Sequence, residues 1–501
     1  MQTSKAINKN IGGNDSEKYL SKLCEKTFLS LWSYPNVYTD EGKKTASGDG
    51  KELCDLLVVF ENHVIIFSDK DISFKDSGDL KVDWGRWVKR AVIKSAVQLY
   101  GAESSLKERP GRLFLDAKCN IPFPIKVPKC DEIIVHRIAV AKNASKKFQE
   151  HSGGSGSLII CPRIVGNQHF DTPFMIGQPI PDKPYVHVFD DVALDIILSE
   201  LDTIADFVDY LSKKEKFIDS GGLNSAAGEE ELLAWYYINA KDGREPGFYI
   251  EKGVSALILE GAYESLKSLP QFIRGKQLNS RSYFWDACIE NFAKHMLGGT
   301  ILSEGDFSFD DMTRGLRIMA SERRFSRRIL SSAIIEKVTS IPHGQRGVRV
   351  LVSPSNSDNG YVWLVVPVPE LCTSYDDYRI YRKEILYVYC ASAKLLFPDM
   401  KYIVGVATEP MGGNGGEDMV FIDSTQWSED DYERARKDRD EFKALAPDNI
   451  KRTDGHDYQF PILPGDYPEK EILRDKKNSK SKIKRIKKAQ KNPVEITENE
   501  L

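Results

Sequence analysis

The chain has 501 residues, 41% hydrophobic and 29% charged, a balance that fits a soluble globular protein of about two to four domains. Its 70 Lys and Arg against 74 Asp and Glu leave a net charge of −4, so any surface for a polyanion must be local. No run of about 18 apolar residues is present and the first residues lack an apolar signal core, so neither a membrane span nor export is expected. Eight cysteines are scattered with no Cys-x-x-Cys and no Cys/His cluster at zinc spacing, which points to a reduced, cytoplasmic protein.

Helical spacing of Leu20, Leu23, Cys24, Phe28, Leu31 and Trp32 predicts a helix over 16–32, with Ser16 as its N-cap. Glu17 sits one turn before Leu20 and borders this buried stripe; its plain role is a first-turn carboxylate favoured by the helix dipole. A loop rich in Gly, Lys and Asp over 40–51 leads into the stretch from Asp55 to Lys70. Leu56 to Phe60 and Val64 to Phe67 are almost wholly apolar, as in strands buried on both faces, and Glu61, Asn62 and His63 supply the turn. A two-residue loop at Asn62-His63, or a four-residue loop from Glu61 to Val64, puts Asp55 opposite Lys70. A three-residue loop puts Asp69 there instead, because a one-residue slip flips every side chain. The even loop is preferred, since Asp55, Ser68 and Lys70 then share a face. Charges held against such a core are paired, bind metal or do chemistry.

A helix is predicted over 84–101, burying Trp84, Trp87, Val88, Ala91, Val92, Ser95 and Leu99. Arg86, Lys89, Arg90 and Lys94 form a basic stripe on its other side, either a phosphate track or a solvated face. Strands are expected at 112–115, 131–141, 157–162, 174–177 and 185–189, with His136 as a packing residue, and one helix over 193–214 closes a first domain at residue 215. Residues 220–228 read as a flexible connection. A mostly helical region follows over 229–342, with segments near 229–240, 257–267, 283–296, 308–320 and 322–338. It carries Arg314, Arg317, Arg323, Arg324, Arg327 and Arg328, read either as a nucleic-acid surface or as partners for carboxylates such as Asp310, Asp311 and Glu322. Residues 346–450 read as a small α+β domain without a catalytic motif. Residues 451–501 read as a basic, disordered tail, with ten Lys and Arg between 474 and 491.

The acid-and-lysine hairpin after a helical Glu resembles the core of the PD-(D/E)xK, or restriction-endonuclease-like, nucleases, closest to the NERD and Mrr-type branch. The resemblance covers roughly residues 15–100. It implies an α/β (α+β) first domain over 1–215, a mixed sheet flanked by helices. It also implies a Mg2+ or Mn2+ ion held by Asp55 and Glu17, with Asp55, Lys70, Glu17 and Ser68 as the catalytic positions. The implied activity is phosphodiester hydrolysis in DNA, less so in RNA, suited to nucleic-acid processing or bacterial defence, with a homo-oligomer left open. Ser68 stands where the family has Asp or Glu, and a hydroxyl is a poor substitute for a carboxylate on a hard cation. The rival reading is therefore a catalytically impaired nuclease fold acting as a nucleic-acid-binding or scaffold module.

Overall fold

The computed structural model describes all residues except 1, 4–5, 44, 46, 239–244, 304–307, 414, 447–449, 453–456 and 463–501; the expected basic run over 474–491 lies outside the described residues. The chain is mixed α/β, with sheets flanked by helices. At its centre is a six-stranded sheet in the order Leu113–Phe114, Ser33–Thr39, Lys51–Phe60, His63–Lys70, Ile134–Ala141, His187–Phe189. The first three junctions are antiparallel and the last two parallel.

The apolar hairpin strands lie in the middle of this sheet, covered on both sides. On one side the helix Asp15–Phe28 sets its Phe28 ring 6.2 Å from Phe67. On the other, the Lys94–Glu108 helix reaches Ser68 through Gln98. Phe67 and Ser68 are neighbours, so the two helices take alternate residues of one strand. The second covering helix begins at Leu80, behind the Asp79 cap, and runs to Glu108 through a wider π turn at Lys89–Ile93. Every residue expected on its inner face, from Trp84 to Leu99, is buried.

Three local expectations are corrected. The first helix is capped by Asn14, whose side chain accepts the Glu17 amide, and it stops at Phe28, where Leu29 turns to φ 66°. Leu31 and Trp32 are buried outside it, ahead of the strand Ser33–Thr39. Pro35 is tolerated in that strand because the neighbouring Leu113–Phe114 strand pairs only at Tyr38 and Thr39. The helix expected over 193–214 is two helices, Asp191–Glu200 and Ile204–Asp219, because Asp190 and Thr203 each cap a new start. Residues 220–228 are not merely a connection. Leu223–Ala226 is a strand between Ile159–Val165 and Ala256–Ile258 in a second, four-stranded sheet that spans the expected boundary at 215. No helix among the described residues is long and apolar enough to cross a membrane.

The third sheet has the order Gly347–Val352, Asn359–Val365, Tyr402–Thr408, Glu417–Asp423, and the helix Tyr375–Leu396 links its parallel inner pair. Ser374 and Ser428 open the helices Tyr375–Leu396 and Glu429–Phe442 with capping boxes. The arginine-rich helices do not make a basic surface. Arg324, Arg327 and Arg328 are buried and Arg314, Arg317 and Arg323 are ion-paired. Arg317 pairs with Asp310 as expected, but the buried cations use Asp202, Asp286 and Asp457. Residues within the expected tail also pack: Phe460 lies 5.4 Å from Phe272, and Arg328 donates to the Tyr458 carbonyl at 2.5 Å.

Two buried carboxyls make stability sensitive to pH. Asp190 accepts the amides of Val192, Ala193 and Leu158, and Glu230 accepts the Ser155 hydroxyl at 2.6 Å. Burial, outweighing these hydrogen bonds, pushes Asp190 up to about 6 and Glu230 up to about 7. Unfolded carboxyls titrate near pH 4, so above that the folded state holds protons that the unfolded state releases. Stability from these groups therefore falls as pH rises from about 4 through about 7. Glu230→Gln, which fixes the uncharged form, should raise the urea midpoint near pH 8 and leave it nearly unchanged near pH 5.

Candidate active site

The hairpin turn is Glu61-Asn62, with Phe60 paired to His63 and Glu61 at φ 52°. The expected Asn62-His63 turn is corrected by one residue, which shifts the strand register by two. Because the offset is even, Asp55, Ser68 and Lys70 keep one parity, but extending the register sets Asp55 in line with Ser68, not with Lys70. Ladder pairing ends at Leu56 and Phe67. Beyond it the Asp55 side chain acts as the missing acceptor: its Oδ2 takes the Asp69 amide at 2.5 Å and lies 3.4 Å from Lys70 Nζ. Burial raises the Asp55 pKa; Lys70 and the Asp69 amide oppose it, and the Glu17 charge adds to it.

Glu17 is drawn toward the same strand end. Its carboxylate accepts the Gly13 amide at 2.7 Å, Asn14 Nδ2 at 2.5 Å and Asn36 Nδ2 at 3.0 Å. The same Asn36 amide donates to Glu52 Oε1 at 2.7 Å. Asn36 reaches both because it sits at φ 47°, next to a register shift between Val37 and Tyr38. Burial raises the Glu52 pKa; Asn36 and Lys70 lower it, whereas Asp55 and Glu17 raise it. Glu17, Glu52, Asp55 and Lys70 thus form one electrostatic cluster. Strict alternation along the strand separates Glu52 from Asp55, so the sequence carried no signal for Glu52 or Asn36.

Two other positions are committed elsewhere. The buried Ser68 hydroxyl donates to Gln98 Oε1 at 3.3 Å. Asp69 turns toward the first helix, accepting Ser16 Oγ at 2.5 Å, with Lys142 Nζ 3.5 Å from its other oxygen. That second oxygen, Oδ1, is buried without a hydrogen-bond partner. Burial raises the Asp69 pKa, against Ser16 and Lys142. Arg86, Lys89, Arg90 and Lys94 are exposed, and Arg86 lies 3.8 Å from Asp83.

The oxygen-only donor set of Asp55, Glu17 and Glu52, in which Asp55 and Glu17 raise the proton affinity of Glu52 and Glu17 that of Asp55, suits a hard cation that keeps part of its water. They do not close into a compact cage. Among the described residues, the one group of three His, Cys, Asp or Glu ligand atoms within 4.8 Å of one another is His136, His187 and Glu215, on the two parallel strands beyond the hairpin and the helix Ile204–Asp219. His136 is therefore more than a lone packing residue. A cavity of about 1050 Å3 lies between the helical region and the third sheet, lined in part by Asn291, Tyr375, Arg379, Glu417 and Asp418. It includes no hairpin residue, and its inner carboxylates are engaged: Glu417 by Asn291, Asp418 by Arg379 and Arg382. No protein-family model, no curated protein and no solved structure matches this chain.

Proposed function

We propose that the protein is a divalent-metal-dependent nuclease, hydrolysing phosphodiester bonds in DNA more than in RNA, with its active site at Asp55 and Lys70. The observation that carries the reading is the 3.4 Å Asp55–Lys70 pair at the frayed end of a buried hairpin, with Glu17 and Glu52 tied beside it by one asparagine. Asp55 and Glu17, with Glu52, would hold Mg2+ or Mn2+. When bound, the ion supplies an acidified water and neutralises charge on phosphate oxygens. Lys70 orients the attacking water and donates to oxygens where negative charge develops. Asn36 and the Asp69 amide fix the carboxylates, and the exposed stripe from Arg86 to Lys94 gives the phosphate backbone a track. A cytoplasmic setting belongs to the same proposal.

A second reading, a nuclease fold that binds nucleic acid without cutting it, is supported by Ser68 and Asp69. One is bonded to Gln98, the other to Ser16. Incubating the full chain and Asp55→Asn with supercoiled DNA, linear DNA and RNA, in Mg2+ or Mn2+ and in EDTA, separates the two. Cleavage that needs the metal and Asp55 is expected. Cleavage undiminished in Asp55→Asn rules the site out, and retarded DNA that stays intact favours the second reading.

A further inference from the structure

We propose that His136, His187 and Glu215 form a site for a borderline divalent cation, with zinc as its ion, distinct from the carboxylate site. The three residues come from the Ile134–Ala141 strand, the His187–Phe189 strand and the Ile204–Asp219 helix. His187 Nε2 lies 2.8 Å and His136 Nδ1 3.4 Å from the same oxygen, Glu215 Oε1. Two imidazole nitrogens and one carboxylate oxygen are a zinc donor set, whereas the all-oxygen cluster near Asp55 is not. Both imidazoles are wholly buried, while the Glu215 side chain is 26% exposed. Solvent therefore reaches the group from the Glu215 side.

Two further observations point to a missing ligand. The first is charge. Among the described residues, Glu215 has no Lys or Arg within ion-pair distance; its ion-pair contacts are the two histidines. Neighbouring Lys214 does not serve it, because its Nζ lies 2.5 Å from Glu229 Oε2. A half-buried carboxylate facing only imidazoles is the environment a dication completes. The second is the outer hydrogen bonding. His63 Nδ1 lies 3.1 Å from His136 Nε2, with the rings stacked at 10°. A proton on His136 Nε2, donated to His63, leaves the Nδ1 lone pair facing Glu215, which is how a ligating histidine is held in its metal-binding tautomer. His187 Nδ1 is buried with no partner, so hydrogen bonding within the protein leaves that ring half used.

His136 pairs with Ile65, five residues before Lys70 on the neighbouring strand, so about 16 Å of strand separates the two positions at ~3.3 Å per residue. The site would clamp the last two sheet strands to the Ile204–Asp219 helix, and its occupancy is independent of nuclease activity. The test uses the full chain, reduced, free of any histidine tag and stripped by chelator. One equivalent of Co2+ should give ligand-field absorption without a sulfur-to-cobalt charge-transfer band, and Zn2+ should displace it. Added Zn2+ should raise the melting temperature in a concentration-dependent way. Glu215→Gln, partly exposed and nearly isosteric, and His187→Gln should each lose both signals, while Asp55→Asn keeps both. Far-UV circular dichroism establishes that the variants fold. A folded wild type without the cobalt spectrum, a sulfur charge-transfer band, or the same spectrum in folded Glu215→Gln overturns the proposal.

Discussion

Replacing Asp286 by alanine should cost about 3–5 kcal/mol of stability. Asp286 sits between two guanidinium groups, 2.7 Å from Arg327 Nη1 and 2.7 Å from Arg324 Nη1. Arg324 keeps a second carboxylate, Asp202, at 2.8 Å. Arg327 does not: its side chain is 1% exposed and its other hydrogen bonds go to the carbonyls of Glu322 and Ala320. Without Asp286 a buried cation keeps dipoles but no counter-charge, and the desolvation cost of that cation is no longer offset. Asp286→Asn, which retains one acceptor, should cost less. Asp286→Leu combined with Arg327→Met, which removes both charges, should recover much of the loss. Urea unfolding of the four proteins measures the series; an unchanged midpoint in Asp286→Ala would contradict the network.

The second large effect follows from the proposed nuclease activity. Asp55→Asn and Lys70→Met should each lower the cleavage rate by about 10²–10⁴-fold. The double variant should fall well short of the product of the two losses, because the pair acts as a unit. The pH profile adds a readout that a structural role does not give. Asp55 must be ionised to hold a cation, and burial raises its pKa while Lys70 lowers it. The acidic limb of the rate should therefore lie above the ordinary aspartate range. Residual activity of Lys70→Met should show that limb moved further up, since one influence holding Asp55 down is gone. A limb that stays in place would mean the two side chains do not share a site.

What the sequence determined by itself was local and periodic. The unbroken apolar runs on either side of Glu61 specified a hairpin buried on both faces, and their parity put Asp55, Ser68 and Lys70 on one side. Helical spacing from Trp84 to Leu99 selected the buried face correctly. These features depend on neighbours within a few residues, where backbone geometry alone sets which side chains share a face.

Tertiary structure decided everything that depends on pairing across long stretches of chain. Which two residues form the hairpin turn was settled by packing, and it moved Asp55 two places from Lys70. Asn36 brings Glu17 to Glu52 only because a bulge turns its backbone. Asp69 is claimed by Ser16, 53 positions away in the chain. The arginines of 314–328, indistinguishable in sequence from a nucleic-acid surface, became buried or ion-paired because Asp202, Asp286 and Asp423 arrive from other elements. His136 met His63, His187 and Glu215 because parallel pairing places three strands and a helix side by side. Charges cost so much to bury alone that their partners are part of the fold, and those partners are chosen in space rather than along the chain.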